Sequence, residues 1–324
     1  MKSKPIFACL GLALASLTTV TSAIADTYPT KPVKIIVPYG TGGGSDTLAR
    51  TIGAKLQEMW GQGVAVDNRA GASGNIGTEL VVRAPADGYT LLLQNNTMVV
   101  NPAIQGKLNY DAEKDLTPIM MLGLTPMALV AHPGTNIKTM AGLVEHSKSK
   151  PNSLNYASCG AGTPQHFVME VVKQKAGFDA THVAYKGCAP GLTDVIGGQV
   201  QLGLLSANLV APYVKSGRLN AIAVSTAGRY GVMPGTPSFE EQGIKPLDFS
   251  IWYALMGPAK LPAEVVNRVY TDVQKILADP EISAKLSGVG VEPYKGNAAD
   301  LAKLIKADQV RYIGLAKSFN IKAE

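Results

Sequence analysis

The chain reads as an α/β protein whose two lobes close on one ligand. Strand-like runs rich in Val, Ile and Leu alternate with helical segments, a pattern that builds parallel sheets with ligands at the strand carboxyl ends. A strand, glycine loop and helix start occur together near 38–46 and again near 158–164. Two such anion-ready sites, far apart in the chain, suggest two lobes facing one ligand. About 300 residues remain after an N-terminal leader, enough for two α/β lobes.

Met1 to Ala25 is that leader. Lys2 and Lys4 give the positive start, Ile6 to Val20 the apolar core, and Ala23-Ile24-Ala25 the small-x-small cleavage site. The apolar run is too short for a membrane span. Cys9 sits near the start of this run rather than after it, which argues against lipid attachment. The mature chain is expected to begin near Asp26 as a soluble exported protein. The formal charge of +6 is dispersed, without a Lys/Arg block or an aromatic stacking motif, so nucleic acid is not implied. A mild basic balance fits an anionic solute.

Lys34 to Val37 has the β-branched composition of a buried strand, and Pro38 ends it. Gly40 and Gly42 to Gly44 let the backbone turn and approach a ligand. Ser45 or Asp46 is expected to cap the helix carrying Leu48, Ile52 and Leu56, which Gly61 stops. Val64 to Asp67 is a second strand, 68–75 a glycine-rich loop, and Glu79 to Val81 lies in a helix. Tyr89 to Leu93 is a strand ending in the polar loop Gln94 to Thr97. Met127 to Ala131 and Leu154 to Ala157 are strands, with a helix over Leu143 to Lys148 between them. Ser158 to Gly162 forms the second glycine loop. Thr163-Pro164 is an N-cap followed by proline at the first helical position. Its helix buries Phe167, Val168, Val171 and Val172 and ends at Gly177. His182 to Tyr185 is a strand, 186–190 a third loop, and Leu192 to Ile196 a short helix. Strands at Val200 to Leu205 and Ala221 to Ser225 enclose a helix at Val210 to Lys215. Ile251 to Met256 is the last strand, and helices over Pro262 to Leu277, Pro280 to Leu286 and Ala298 to Phe319 close the chain.

Other chemistries fit some of the same residues. Gly40-x-Gly42-x-x-Ser45 with Asp67 downstream imitates a dinucleotide fingerprint, but the third glycine is serine and an exported protein would not meet free NAD. Cys159 and His166 could be a thiol and its base, yet no third orienting group is evident. His166 and Glu170 share a helix face, but two residues do not make a metal site. His132, His146 and His182 share no spacing and carry no assigned role. Arg69 could clamp a carboxylate or pair with Asp67 or Glu79.

Several stretches, in this order and spacing, resemble one family over essentially the whole mature chain: 28–32, 38–46, 67–77, 87–90, Gly162-Thr163-Pro164-Gln165-His166 and 185–190. The chain resembles the Bug-type receptors, the solute-binding component of tripartite tricarboxylate transporters. The resemblance implies a type II periplasmic binding protein of two lobes, each a mostly parallel sheet flanked by helices. Lobe 1 would be 26–125 plus 250–324 and lobe 2 would be 126–249, with hinges near Thr125 and Phe249. It also implies a monomer that binds a small carboxylate for membrane transporter subunits, with no cofactor, no metal and no catalysis. Carried over, Tyr39, Gly42, Gly43, Ser45, Asp46, Ser73 and Asn75 face the ligand from the first lobe. Tyr39 would pack on the ligand's apolar part. Ser158, Thr163, His166, Lys186 and Gly187 face it from the second lobe, with hydroxyls of Ser158 and Thr163 on the carboxylates. Many members carry a pocket Asp where this chain has Ser206-Ala207-Asn208, a departure that weakens an amino-acid ligand.

Cys159 and Cys188 are the two cysteines left after leader removal, each in a loop after a strand of the second lobe. Neighbouring parallel strands would set these loops side by side, and an oxidising compartment favours a disulfide. Two separate buried thiols are the alternative.

Overall fold

Four of the five residues of Val33–Val37 are buried, as a strand covered on both faces requires, and they form β1. The computed structural model describes residues 28–322 apart from 186, 227 and 246–248, so the expected leader and its expected cleavage site lie outside the described residues. β1 feeds α1 (Gly44–Trp60), β2 (Val64–Asn68) feeds α2 (Asn75–Val82), and β3 (Thr90–Asn95) feeds α3 (Thr97–Gln105). After β4 (Leu116–Ala131) and α4 (Met140–Ser149), the pattern returns. β5 (Asn155–Ser158) feeds α5 (Pro164–Ala176), β6 (Thr181–Ala184) feeds α6 (Cys188–Ile196), and β7 (Leu202–Ser206) feeds α7 (Ala207–Lys215). Then come β8 (Asn220–Val224), β9 (Ser250–Pro258), α8 (Ala263–Ala278), α9 (Pro280–Gly288), β10 (Glu292–Gly296) and α10 (Ala298–Phe319).

Three elements depart from the sequence expectation. α3 and β10 were not expected, and β4 is far longer than its expected 127–131. α3 carries Pro102 and two adjacent valines, which argue locally against a helix, but Met98 to Asn101 are fully buried and packing decides. α6 also starts at Cys188, inside the segment expected to be a loop.

Among the described residues the strands form one mixed sheet, ordered β2-β1-β3-β9-β4-β7-β5-β6, with β8 and β10 also on β4. The parallel pairs are β1 with β2 and β3, and β5 with β6 and β7. Every antiparallel pair involves β4 or β9. β4 changes partner at its middle: Pro126 pairs with Ser250 of β9, and Met127 pairs with Ser206 of β7. The sheet is therefore two α/β lobes joined through β4 and β9.

This register fixes the direction of each block. β3 and β4 both run antiparallel to β9, so β1, β2 and β3 point along β4 toward the second block. β7 is antiparallel to β4, so β5, β6 and β7 point back toward the first. The carboxyl ends of both parallel sets converge on the middle of β4. Behind them the core is continuous. Phe167 of α5 meets Tyr312 of α10 edge-on at 5.2 Å, and Phe249 lies 6.3 Å from Tyr312.

Candidate functional site

Six strand-to-helix turns, three from each block, face one another across the middle of β4. Each ends at a helix start, where unpaired N–H groups and the helix dipole favour an anion.

In the first turn Gly42 has φ +84°, and Gly43, with open space around it, precedes the helix. Gly44 cannot carry a side chain there, because a Cβ would sit 2.6 Å from the Tyr253 hydroxyl. The expected side-chain cap is absent: Ser45 is buried in the first turn of α1 and Gly43 holds the cap position. Asp46 is engaged by its own neighbours. It is 4% exposed, and it accepts bonds from Gly42 N–H (2.9 Å), Arg50 Nε (3.0 Å) and Asn68 Nδ2 (3.0 Å). Burial raises its carboxyl, but these bonds outweigh burial and hold it below the usual range. Asp46 ties the glycine turn to β2.

Tyr39 is half-buried, with its hydroxyl 2.5 Å from Gln94 Oε1 and 2.9 Å from Asn95 Oδ1. Burial raises its phenol well above the ordinary range, so it stays protonated as a donor. In the second turn Ala72 and Ser73 both have positive φ, and the exposed Ser73 is held through its carbonyl by Asn101 Nδ2 at 3.0 Å. Asn75 is corrected. It is buried, donates to Gln105 Oε1 (2.7 Å), and accepts from Asn101 Nδ2 (2.8 Å) and Tyr110 Oη (2.9 Å), so it braces α2 against α3.

In the second block Ser158 is fully buried, and its hydroxyl contacts His182 Nε2 (2.7 Å) and the Gly160 carbonyl (3.1 Å). The Ser158 hydroxyl is thus engaged within the second block. Thr163 caps α5 as expected, accepting from His166 N–H, while its hydroxyl donates to the Gly160 carbonyl at 2.8 Å. That hydroxyl donates within the turn. We expect Thr163→Ala to cost about 1 kcal/mol in urea unfolding, with affinity falling only as the turn loosens. An affinity loss without any stability loss would show that the hydroxyl reaches the ligand.

His166 accepts from Gly162 N–H through Nδ1 (3.1 Å) and stacks on His182 at 3.8 Å. His182 is the residue the sequence left without a role. Parallel pairing of β5 with β6, with Tyr156 opposite His182, carries it under the turn, a register no local spacing reveals. Glu170 binds Tyr156 Oη (2.7 Å) and Lys173 Nζ (3.1 Å), so its carboxylate is taken up by these two side chains.

Gly187 precedes α6 with φ +110°, and its N–H donates to the Cys159 carbonyl at 3.1 Å. Cys159 and Cys188 form the expected disulfide, with Cα atoms 4.2 Å apart. Lys186 lies outside the described residues. Ser206 ends β7 and precedes α7 without a side-chain cap bond. Asn208, in the departing segment, donates to the Val289 carbonyl at 2.7 Å. A separate groove of about 750 Å³, between α4 and 242–244, lies at the carboxyl end of α5, roughly 20 Å from the turn at that helix's start. It is not this site.

The family model described as the tripartite tricarboxylate transporter family receptor matches residues 48–321. A UPF0065 protein of Bordetella bronchiseptica is 35% identical over 305 residues, which is 94% of this chain and 90% of that one. Rpa4515 of R. palustris, in a structure with adipate, is 31% identical with a TM-score of 0.82, covering 92% of this chain and 100% of that one. MatC of Rhodopseudomonas palustris, with bound malate, is 26% identical with a TM-score of 0.76, covering 89% and 99%. The facing turns and these likenesses agree with the resemblance read from the sequence: the chain belongs to the tripartite tricarboxylate transporter receptor family, whose members are solute-binding receptors.

Proposed function

We propose that this receptor captures a small carboxylate between its lobes in the periplasm and presents it, as a monomer, to membrane transporter subunits without chemical turnover. The observation that carries the reading is the convergence of six helix starts on the middle of β4. Lobe 1 comprises 26–125 plus 250–324 and lobe 2 comprises 126–249. Hinges lie at Thr125 and Phe249, beside the point where β4 changes partner. Backbone N–H groups of the turns at Gly42–Ser45, Ser73, Thr163, Gly187 and Ser206 hold the carboxylates. Tyr39, fixed through its hydroxyl, offers its ring to the ligand's apolar part. Adipate and malate in the relatives support the ligand class. Hinged closure of two lobes on an anion needs no charged side chain, because helix starts supply the potential.

A thermal-shift panel of mono-, di- and tricarboxylates tests this. At least one compound should stabilise the protein, by about 2.7 kcal/mol at a hundred times its Kd. Stabilisation only by cations, sugars or nucleotides would overturn the reading. So would chemical conversion of a bound carboxylate.

A further inference from the structure

His182 lies between two rings, with Tyr156 on one face (4.8 Å, 25°) and His166 on the other (3.8 Å, 22°). This stack supports the Gly160–Thr163 turn from beneath at two atoms. His166 Nδ1 takes the Gly162 N–H, which requires the neutral ring with its proton on Nε2. His182 Nε2 meets the Ser158 hydroxyl, and that same oxygen accepts the Gly160 N–H at 3.1 Å. The turn also touches the other lobe. Gly162 has φ +67°, and a Cβ there would sit 2.2 Å from Cδ1 of Ile104 on α3. One turn thus carries backbone donors, an interlobe contact and the two histidines.

We propose that His166 and His182 form a proton-sensitive positioning pair. While neutral, they fix the Gly160–Thr163 turn so that it presents its donors to an anion and seats against Ile104; proton uptake releases it. This rests on the carboxylate reading of the cleft. A proton on His166 Nδ1 takes the lone pair that holds Gly162, turning an acceptor into a second donor. The stacked rings also resist charge, because an imidazolium 3.8 Å from its neighbour loses hydration. The charged and titratable groups facing the pair are Glu170 and Lys173 on α5 and Tyr156 on β5. Asp179 reaches Lys173 from the turn before β6 at 3.7 Å.

Burial pushes both imidazoles down to about 4. Lys173 adds to this at His166; at His182, His166 and Lys173 add to it against Glu170. The folded value lies below the ordinary 6.5, so the pair's contribution to stability is complete above pH 6.5 and is lost as pH falls toward 4.

Amide and imidazole resonances of the isotope-labelled protein, followed without ligand from pH 7 to 3.5, test the pair. The Gly162 amide should titrate together with the His166 ring, with a midpoint well below 6.5. In His166→Asn, whose side-chain oxygen replaces Nδ1 as acceptor but takes no proton, Gly162 should hold its neutral position throughout. A Gly162 amide flat in the wild type, or titrating identically in His166→Asn, overturns the proposal. At pH 7, His166→Leu should bind adipate at least fivefold more weakly than wild type, and His166→Asn, which restores an acceptor for Gly162, should recover part of that loss. Equal losses in both variants would also overturn it. If adipate fails to bind the wild type, that counts against the carboxylate reading, and the ligand-free resonances still decide the pair.

Discussion

Asp308→Ala should destabilise the protein by about 3 kcal/mol, the low end for breaking a buried ion pair, and lower Tm by roughly 5 °C. Asp308, 2% exposed on α10, accepts from Trp252 Nε1 at 2.8 Å and pairs with Arg311. The Arg311 guanidinium lies over the Phe249 ring, 4.5 Å from its centroid. Trp252 belongs to β9 and Phe249 directly precedes that strand, so the carboxylate clamps α10 onto one of the two crossovers. Its removal leaves the indole N–H buried without this acceptor and takes away a carboxylate that Arg311 pairs with. Arg311 is partly exposed, which places the cost at the lower end of the range. Asp308→Asn keeps an acceptor for Trp252 and should lose clearly less. Chemical denaturation of the three proteins decides, and a loss under 1 kcal/mol in the alanine variant would remove Asp308 from the account of the junction.

Replacing both Cys159 and Cys188 by alanine should cost about 3–4 kcal/mol by the chain-entropy account of a loop of this length; the two are 29 residues apart in sequence. The double substitution avoids a stranded thiol. The disulfide joins the turn after β5 to the turn after β6, which a 3.1 Å bond from Gly187 N–H to the Cys159 carbonyl also links. Carboxylate affinity should therefore fall as well, since backbone donors of two turns lose their fixed spacing. Treating the wild type with a reductant should reproduce both changes. If stability and affinity are unchanged by the double substitution and by reduction, the crosslink does not hold the site.

Sequence alone determined a good deal here, because its strongest signals are local. β-branched runs broken by glycine and capped by Thr163-Pro164 define strand-to-helix turns wherever they sit, and α10 runs over the residues its periodicity predicts. The disulfide was legible because two cysteines in consecutive strand-to-helix turns leave one pairing once the strands are parallel neighbours. Local signals could not tell which turn side chains remain available. Ser158, Thr163, Asp46 and Asn75 look like ligand contacts in a linear reading, yet the folded chain commits their polar atoms internally. A turn rich in positive-φ glycines has few intrinsic restraints and recruits neighbouring polar groups to hold its shape. Tertiary structure also decided α3, where burial overrode Pro102, and the length of β4, whose central residues pair first with β9 and then with β7. His182 gained its place from strand register alone. Strand pairing joins residues distant in sequence, so the stack beneath the turn exists only once β5 and β6 lie side by side.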